Sequence, residues 1–544
     1  MSLAVCLLLA PSLVASEQHE THHPPRTAAP AQLGEVNFAV SCSAAVQKEF
    51  NRAMAQFHSF WFQPAKNSFA GVLEQDPECG MAHWGIAIMS MGNPFAWPPN
   101  PDALTAAETA ALEARRVGAR SERERRYIAA LGSYFERRES IDHRTRAATF
   151  EKAMGDVSAA YPTDDEAKIL HALLLVATAL PTDKTFANQL RAGAILEPLF
   201  EKYPRHPGVA HYLIHAYDYA ELAERGLPAA REYAKIAPGV PHALHMPSHV
   251  FSRVGLWPEM VESNRASYLA ARSELEETTL EVGTYDALHA LDYLVFAHLQ
   301  QSQDKAAKAL VDEVAAIRKV NVENFIAAYA FAAIPARYAL ERGQWQQAAA
   351  LELSPRDLAW SKFPQAEAIL AFARGLGAAR SGDGAAARKD VEKLQALRDA
   401  MTAAKNTYWS GQTDFQIQAL KGWIALAENR REEALQLMRA AADAEDASDK
   451  HPVTPGSVAP SRELLAEMLL ALDAPEQALS EFERALKRDP NRLRSVYGAA
   501  QSAHAAGNPG VARQHCASLH SLTANRDTDR VGCPVALENR VKGN

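Results

Sequence analysis

Two pairs of histidines, set in one pattern and repeated in register, are the residues of this chain best suited to chemistry. His211 and His215 lie in HPGVAHYLIHAYD; His245 and His249 lie in PHALHMPSHVF. Each pair is spaced i,i+4, and the second copy follows the first by 34 residues. The flanking prolines keep that register, Pro204 with Pro238 and Pro207 with Pro241. Side chains at i and i+4 share one face of a helix. Packed helices lie ~8–10 Å apart, and an imidazole nitrogen reaches ~2.0–2.1 Å further to a metal ion. The spacing therefore predicts that His211, His215, His245 and His249 converge from neighbouring helices on one ion. Six of the nineteen histidines fall between His206 and His249.

Other residues extend the set. Asp218, three after His215, is a candidate carboxylate ligand or the acceptor that orients a ligating histidine. His242 lies three before His245, but its counterpart in the first copy is Gly208, which ranks it lower. His289, in YDALHALDYL of the next repeat, is placed to close the far side, with Asp286 or Asp292 nearby. His58 and His83 approach only if the array curls round, and His83, Trp97, Tyr212 and Phe251 are candidates for a pocket rim. Pro247 sits between His245 and His249 and is tolerated only in a first turn, which loosens that pair. A nitrogen-rich set without thiolate suits zinc, copper or iron and disfavours magnesium or calcium. With three histidines bound and one position open, such an ion activates water near neutral pH or binds oxygen. HYLIH lacks the glutamate of HExxH, so no peptidase is read here. Two other readings stay open: a metal-free polar pocket in which histidines bind an anionic ligand or act as acid and base, and structural histidines that bridge helices. Repetition in register argues against the last, because packing alone would accept Leu or Tyr.

The elements that must carry these residues are helical. The chain is Ala- and Leu-rich, with 48% hydrophobic and 22% charged residues, and no strand-type alternation rises above noise. VQKEFNRAMAQFHSFWF reads as one helix and PAKNSFAGVLEQDP as a second. GNPFAWPPNP (92–101), with four prolines, forbids helix continuation, and its Phe95 and Trp97 make it a candidate lid or rim, with a plain inter-helix loop as the alternative. Ala65, Phe69 and Pro77, and more completely Ala478, Phe482, Ala485 and Pro490, resemble the small, aromatic and terminal-proline positions of the tetratricopeptide (TPR) repeat, whose period is also 34 residues. That resemblance implies an all-α, TPR-like solenoid of about twelve helix-turn-helix pairs in a right-handed superhelix, its first helices lining a concave groove. CGMAHWGIAIMSMGNP, HYLIHAYD and HALHMPSHVFSRVG together resemble exported bacterial TPR proteins with MAHWGIA, HxxIH and HMPSH signatures. This covers about residues 43–300 and implies a fold and a place to look rather than a reaction.

The remaining organisation follows from composition. Residues 1–16 read as a signal peptide, 17–40 as a flexible leader, 41–320 as an N-terminal solenoid with the histidine site, and 321–544 as a C-terminal solenoid. Export to the periplasm or medium is expected. Once Cys6 is removed with the leader, Cys42, Cys79, Cys516 and Cys533 stand as one couple at each end. This suits two disulfides, with four free buried thiols as the alternative. A net charge of −8 without a basic stripe argues against a nucleic-acid partner, and no later run is long enough to span a membrane. Two functions are carried forward. One is a transition-metal protein with a histidine site on the groove, acting on a small-molecule ligand and with enzymatic turnover left open. The other is a scaffold that takes a peptide or protein partner in that groove.

Overall fold

The computed structural model describes residues 32–274 and 281–535. The expected signal peptide, and residues 17–31 of the expected leader, lie outside them. The fold is all-α: helices follow one another from Gln47 to Leu522, and each packs on its neighbours in sequence. Val282–Gly283 and Lys319–Val320 form one short parallel bridge. No helix among the described residues is long and apolar enough to cross a membrane.

The TPR rule can be read from its packing at both ends of the array. Phe69 is buried, and its ring lies 2.5 Å from where a Cβ on Gly85 would stand; Phe482 meets Gly498 in the same way at 2.2 Å. The glycine follows its phenylalanine by sixteen residues in both cases. Each aromatic ring thus fills a notch left by a missing side chain on the next helix, and replacing either phenylalanine by alanine would cost ~3–5 kcal/mol. Helices stop before proline or glycine: Tyr161, Tyr203, Ala237, Arg342 and Ser381 are C-caps, followed by Pro162, Pro204, Pro238, Gly343 and Gly382.

Two expectations need correction, and a third holds in part. The stretch from Val46 to Phe62 is not one helix. It ends at His58, turns through Phe60 at φ 53°, and a new helix starts at Phe62. A left-handed conformation at a bulky residue is costly, and here it turns the Phe60 ring onto His211, 4.4 Å between centroids. The leader does not run loose to residue 40: Phe38 is fully buried, Glu35 N–H donates to the Arg205 carbonyl at 2.9 Å, and Phe38 N–H donates to Asn51 at 3.1 Å. Pro247 does stand in a first turn, opening Pro247–Val254 with His245 in the turn before it, but the pair is not loosened: the two Nε2 atoms lie 3.1 Å apart. Met246 stays helical (φ −53°, ψ −36°) and joins Pro241–His245 to Pro247–Val254.

Cys42 is joined to Cys79 and Cys516 to Cys533. Residues 32–535 pack as one unit whose contacts cross residue 320. Arg337 forms a fully buried pair with Asp292 at 2.7 Å, and Trp257 Nε1 donates to the Asn491 carbonyl at 2.9 Å. The segment around 450 thereby reaches back to the histidines.

Candidate metal centre

Three helical segments supply the histidines: Pro207–Tyr217, the kinked pair Pro241–His245 and Pro247–Val254, and Tyr285–Leu299. Proline at the first helical position starts the first two, where its missing N–H leaves no bond unmade. The four expected histidines do come together, but as parts of two trios. His211, His215 and His242 form one, and His245, His249 and His289 the other; within each, a ligand atom from every residue lies within 4.8 Å of the others. His242, ranked low from its Gly208 counterpart, is a full member. The difference between the copies has a cause. A Cβ on Gly208 would stand 2.4 Å from the His58 ring, so the first copy needs glycine where the second carries an imidazole.

The protons on these rings can be assigned from their partners. His211 Nδ1 faces the His58 carbonyl at 2.7 Å, His249 Nδ1 faces Asp218 Oδ2 at 2.9 Å, and His245 Nδ1 faces Asn264 Oδ1 at 2.7 Å. The Asn264 amide donates to the Met260 carbonyl at 2.8 Å, which fixes its oxygen toward His245. Each partner accepts only, so each Nδ1 carries the hydrogen and each Nε2 of a neutral ring presents a lone pair. Yet His245 Nε2 lies 3.1 Å from His249 Nε2, with no proton for either to share. His211 Nε2 lies 3.1 Å from His215 Nε2 and 3.2 Å from His242 Nε2. Nitrogens bound to one ion at ~2.0–2.1 Å stand about 3.3–3.6 Å apart, within a few tenths of an ångström of these separations.

Burial keeps the rings neutral. It drives the pKa of His211, His215, His242, His245 and His289 well below 6.5, and the neighbouring imidazoles push the same way. Burial also lowers His249, with the Asp218 hydrogen bond opposing. Phe95 lies tilted against His215 at 4.0 Å, and Phe60 stacks on His242 at 5.7 Å. Only His242 and His289 among the six are partly exposed, so the cluster meets solvent on their side.

Asp218 caps Pro207–Tyr217 and acts behind the ligand atoms rather than among them. Besides His249 it accepts from Arg253 Nε at 2.8 Å and from Lys450 Nζ at 3.2 Å. Burial alone would raise its carboxyl, but Lys450 and Arg253 outweigh that and hold it well below the usual range. Lys450 itself is lowered to about 8, chiefly by burial. Sequence reading missed Lys450, 232 residues from Asp218; its only local sign is a charged couplet, Lys450-His451, in a Pro-rich segment. Asp292 is taken up by Arg337.

The rim expectations fail in four places. Tyr212 is fully buried and bonds His58 Nδ1 at 2.9 Å through its hydroxyl, and Phe251 is 5% exposed. Trp97 turns toward Tyr134 and His143, leaving Phe95 to reach the histidines. His83 sits beside Glu113 and Arg116 instead. His58, by contrast, does approach, and belongs to a third group with Glu166 and His206.

No protein-family model matches this chain, and no curated protein matches it. Among solved structures, the human IFIT1 dimer with PPP-AAAA is 13% identical over 82% of this chain and 91% of its own, with a TM-score of 0.36. The P58(IPK) TPR domain is 10% identical over 86% of this chain and 99% of its own, with a TM-score of 0.21. The helix-pair packing described above defines this chain as a TPR-like helical repeat protein, and at these scores nothing is drawn from either structure.

Proposed function

We propose that this is an exported TPR-like protein that holds a transition metal, of the zinc, copper or iron class, in the centre formed by His211, His215, His242, His245, His249 and His289. One observation carries the reading. The Nε2 lone pairs of His245 and His249 face each other at 3.1 Å while both Nδ1 hydrogens are committed elsewhere. Two such lone pairs repel, and a cation between them removes the repulsion. Imidazole ligands without thiolate suit that metal class. Asp218, Asn264 and the His58 carbonyl would orient the ligands from behind, as outer partners do in metal sites. An ion with three imidazoles and an open position supplies Lewis acidity and lowers the pKa of bound water toward ~7. The two disulfides support an oxidising compartment, since such bonds persist there. The MAHWGIA, HxxIH and HMPSH signatures support kinship with exported bacterial TPR proteins.

The test is the metal content of the full chain and of a His211→Ala/His249→Ala double variant, each taken from its native compartment without a nickel column. The wild type should carry near-stoichiometric zinc, copper or iron, and the variant should fold, by circular dichroism, and carry less than a tenth as much. Equal metal in both proteins, or none in either, would refute the reading.

A further inference from the structure

We infer that the centre is a pair: two ions side by side, one in each trio, sharing one small anion supplied from solution. The inference rests on the metal reading above and adds nuclearity and a ligand class to it. Each trio is complete by itself, with three convergent ring nitrogens, the number that protein ligands supply in an open catalytic site. The trios also abut. His215 and His249 rings are 6.2 Å apart and His242 and His245 rings 6.5 Å apart, close to the 6.4 Å between His249 and His289 within one trio. An ion bonded at ~2.0–2.1 Å to Nε2 lies about 3 Å from the ring centroid. Rings in contact across the two trios therefore bring their ions within reach of one oxygen, as in two-metal centres spaced ~3.5–4 Å.

Charge decides what else must be there. Two divalent ions would bring four positive charges into a site whose six ligands are neutral. Among the described residues, Asp218 is the carboxylate bonded to one of the six, and Arg253 and Lys450 together already exceed its charge. Uncompensated buried charge is costly, so an anion such as hydroxide belongs between the ions. His242 and His289, one from each trio, are the partly exposed members and mark the side from which ions and anion enter.

The test uses the full chain, stripped with a chelator and reloaded with copper(II) alone. Two equivalents should bind per chain. Ions bridged by one anion couple magnetically, so the spin-resonance signal should fall far below that of two isolated copper(II) ions, and added azide should change the visible spectrum. A His289→Ala chain should bind one equivalent and regain a full mononuclear signal; should it fail to fold, His242→Ala gives the mirror-image test. One equivalent in the wild type, or two with full uncoupled intensity, would overturn the pair and leave the metal centre standing. No bound copper, together with no zinc or iron in the chain before stripping, would overturn both.

Discussion

Two histidine clusters lie side by side in this molecule, joined through His58, and their protons are arranged in opposite ways. In the first, His58 Nε2 and His206 Nε2 each lie 3.0 Å from one of the two oxygens of Glu166. His206 Nδ1 accepts from the Val209 N–H, so its Nε2 must carry the hydrogen, and it donates to a carboxylate. Every donor there has an acceptor. Burial alone would raise the Glu166 carboxyl, but His206 and His58 outweigh it and hold the group below its usual range. In the second cluster, His211, His249 and His245 turn their Nδ1 hydrogens outward to the His58 carbonyl, Asp218 and Asn264, and the Nε2 lone pairs of His245 and His249 meet at 3.1 Å. Proximity of histidines and a carboxylate is common to both. The first is satisfied as protein alone, and under the proposed reading the second would be satisfied by a cation.

Acid should separate the two clusters most strongly. Between its folded and unfolded pKa, a histidine binds a proton in the unfolded chain and none in the folded one, so stability falls with falling pH by about 1.4 kcal/mol per unit for each such group. With six imidazoles lowered by burial, stability of the metal-free chain should be full above about pH 6.5 and decline steeply below it. Thermal melts from pH 8 to 5 read this, and a His245→Gln chain should show a shallower decline. A flat profile would mean that the six rings find anions the structure does not show.

Asp218→Asn should come next. It leaves Arg253 and Lys450 buried without their carboxylate, a loss of about 3–5 kcal/mol. It also replaces the charged acceptor of His249 by a neutral amide, which should weaken metal affinity by about 10–100-fold. Chemical denaturation and competition against a chelator measure the two effects separately. Glu166→Gln should be smaller and of one kind only. An amide accepts on one oxygen, so one of the two imidazole donors goes unpaired for about 1–3 kcal/mol, while metal content stays at the wild-type level. Metal lost with Glu166→Gln would erase the distinction between the clusters.

Much of this was legible in the residues. The 34-residue register and the i,i+4 spacing placed four histidines on facing helices, and small and aromatic residues such as Ala478 and Phe482 marked the helix pairs. Local pattern could not reveal the division into trios. His242 has no partner in the first copy because Gly208 makes room for His58, a residue 150 positions earlier. Helix continuation was expected through Phe60, whose left-handed backbone is set by packing on His211 and His242 rather than by propensity. Lys450 and Asp218 meet only because the later helices fold back across the earlier ones.

The most direct measurement is diffraction from crystals of the full chain at wavelengths on either side of the zinc, copper and iron absorption edges. The account predicts anomalous peaks ~2.0–2.2 Å from Nε2 of His211, His215 and His242 and from Nε2 of His245 and His249, with nothing at Glu166. Crystals of protein kept from chelators that show no peak at either trio, and a hydrogen bond between Nε2 of His245 and His249 instead, would contradict it.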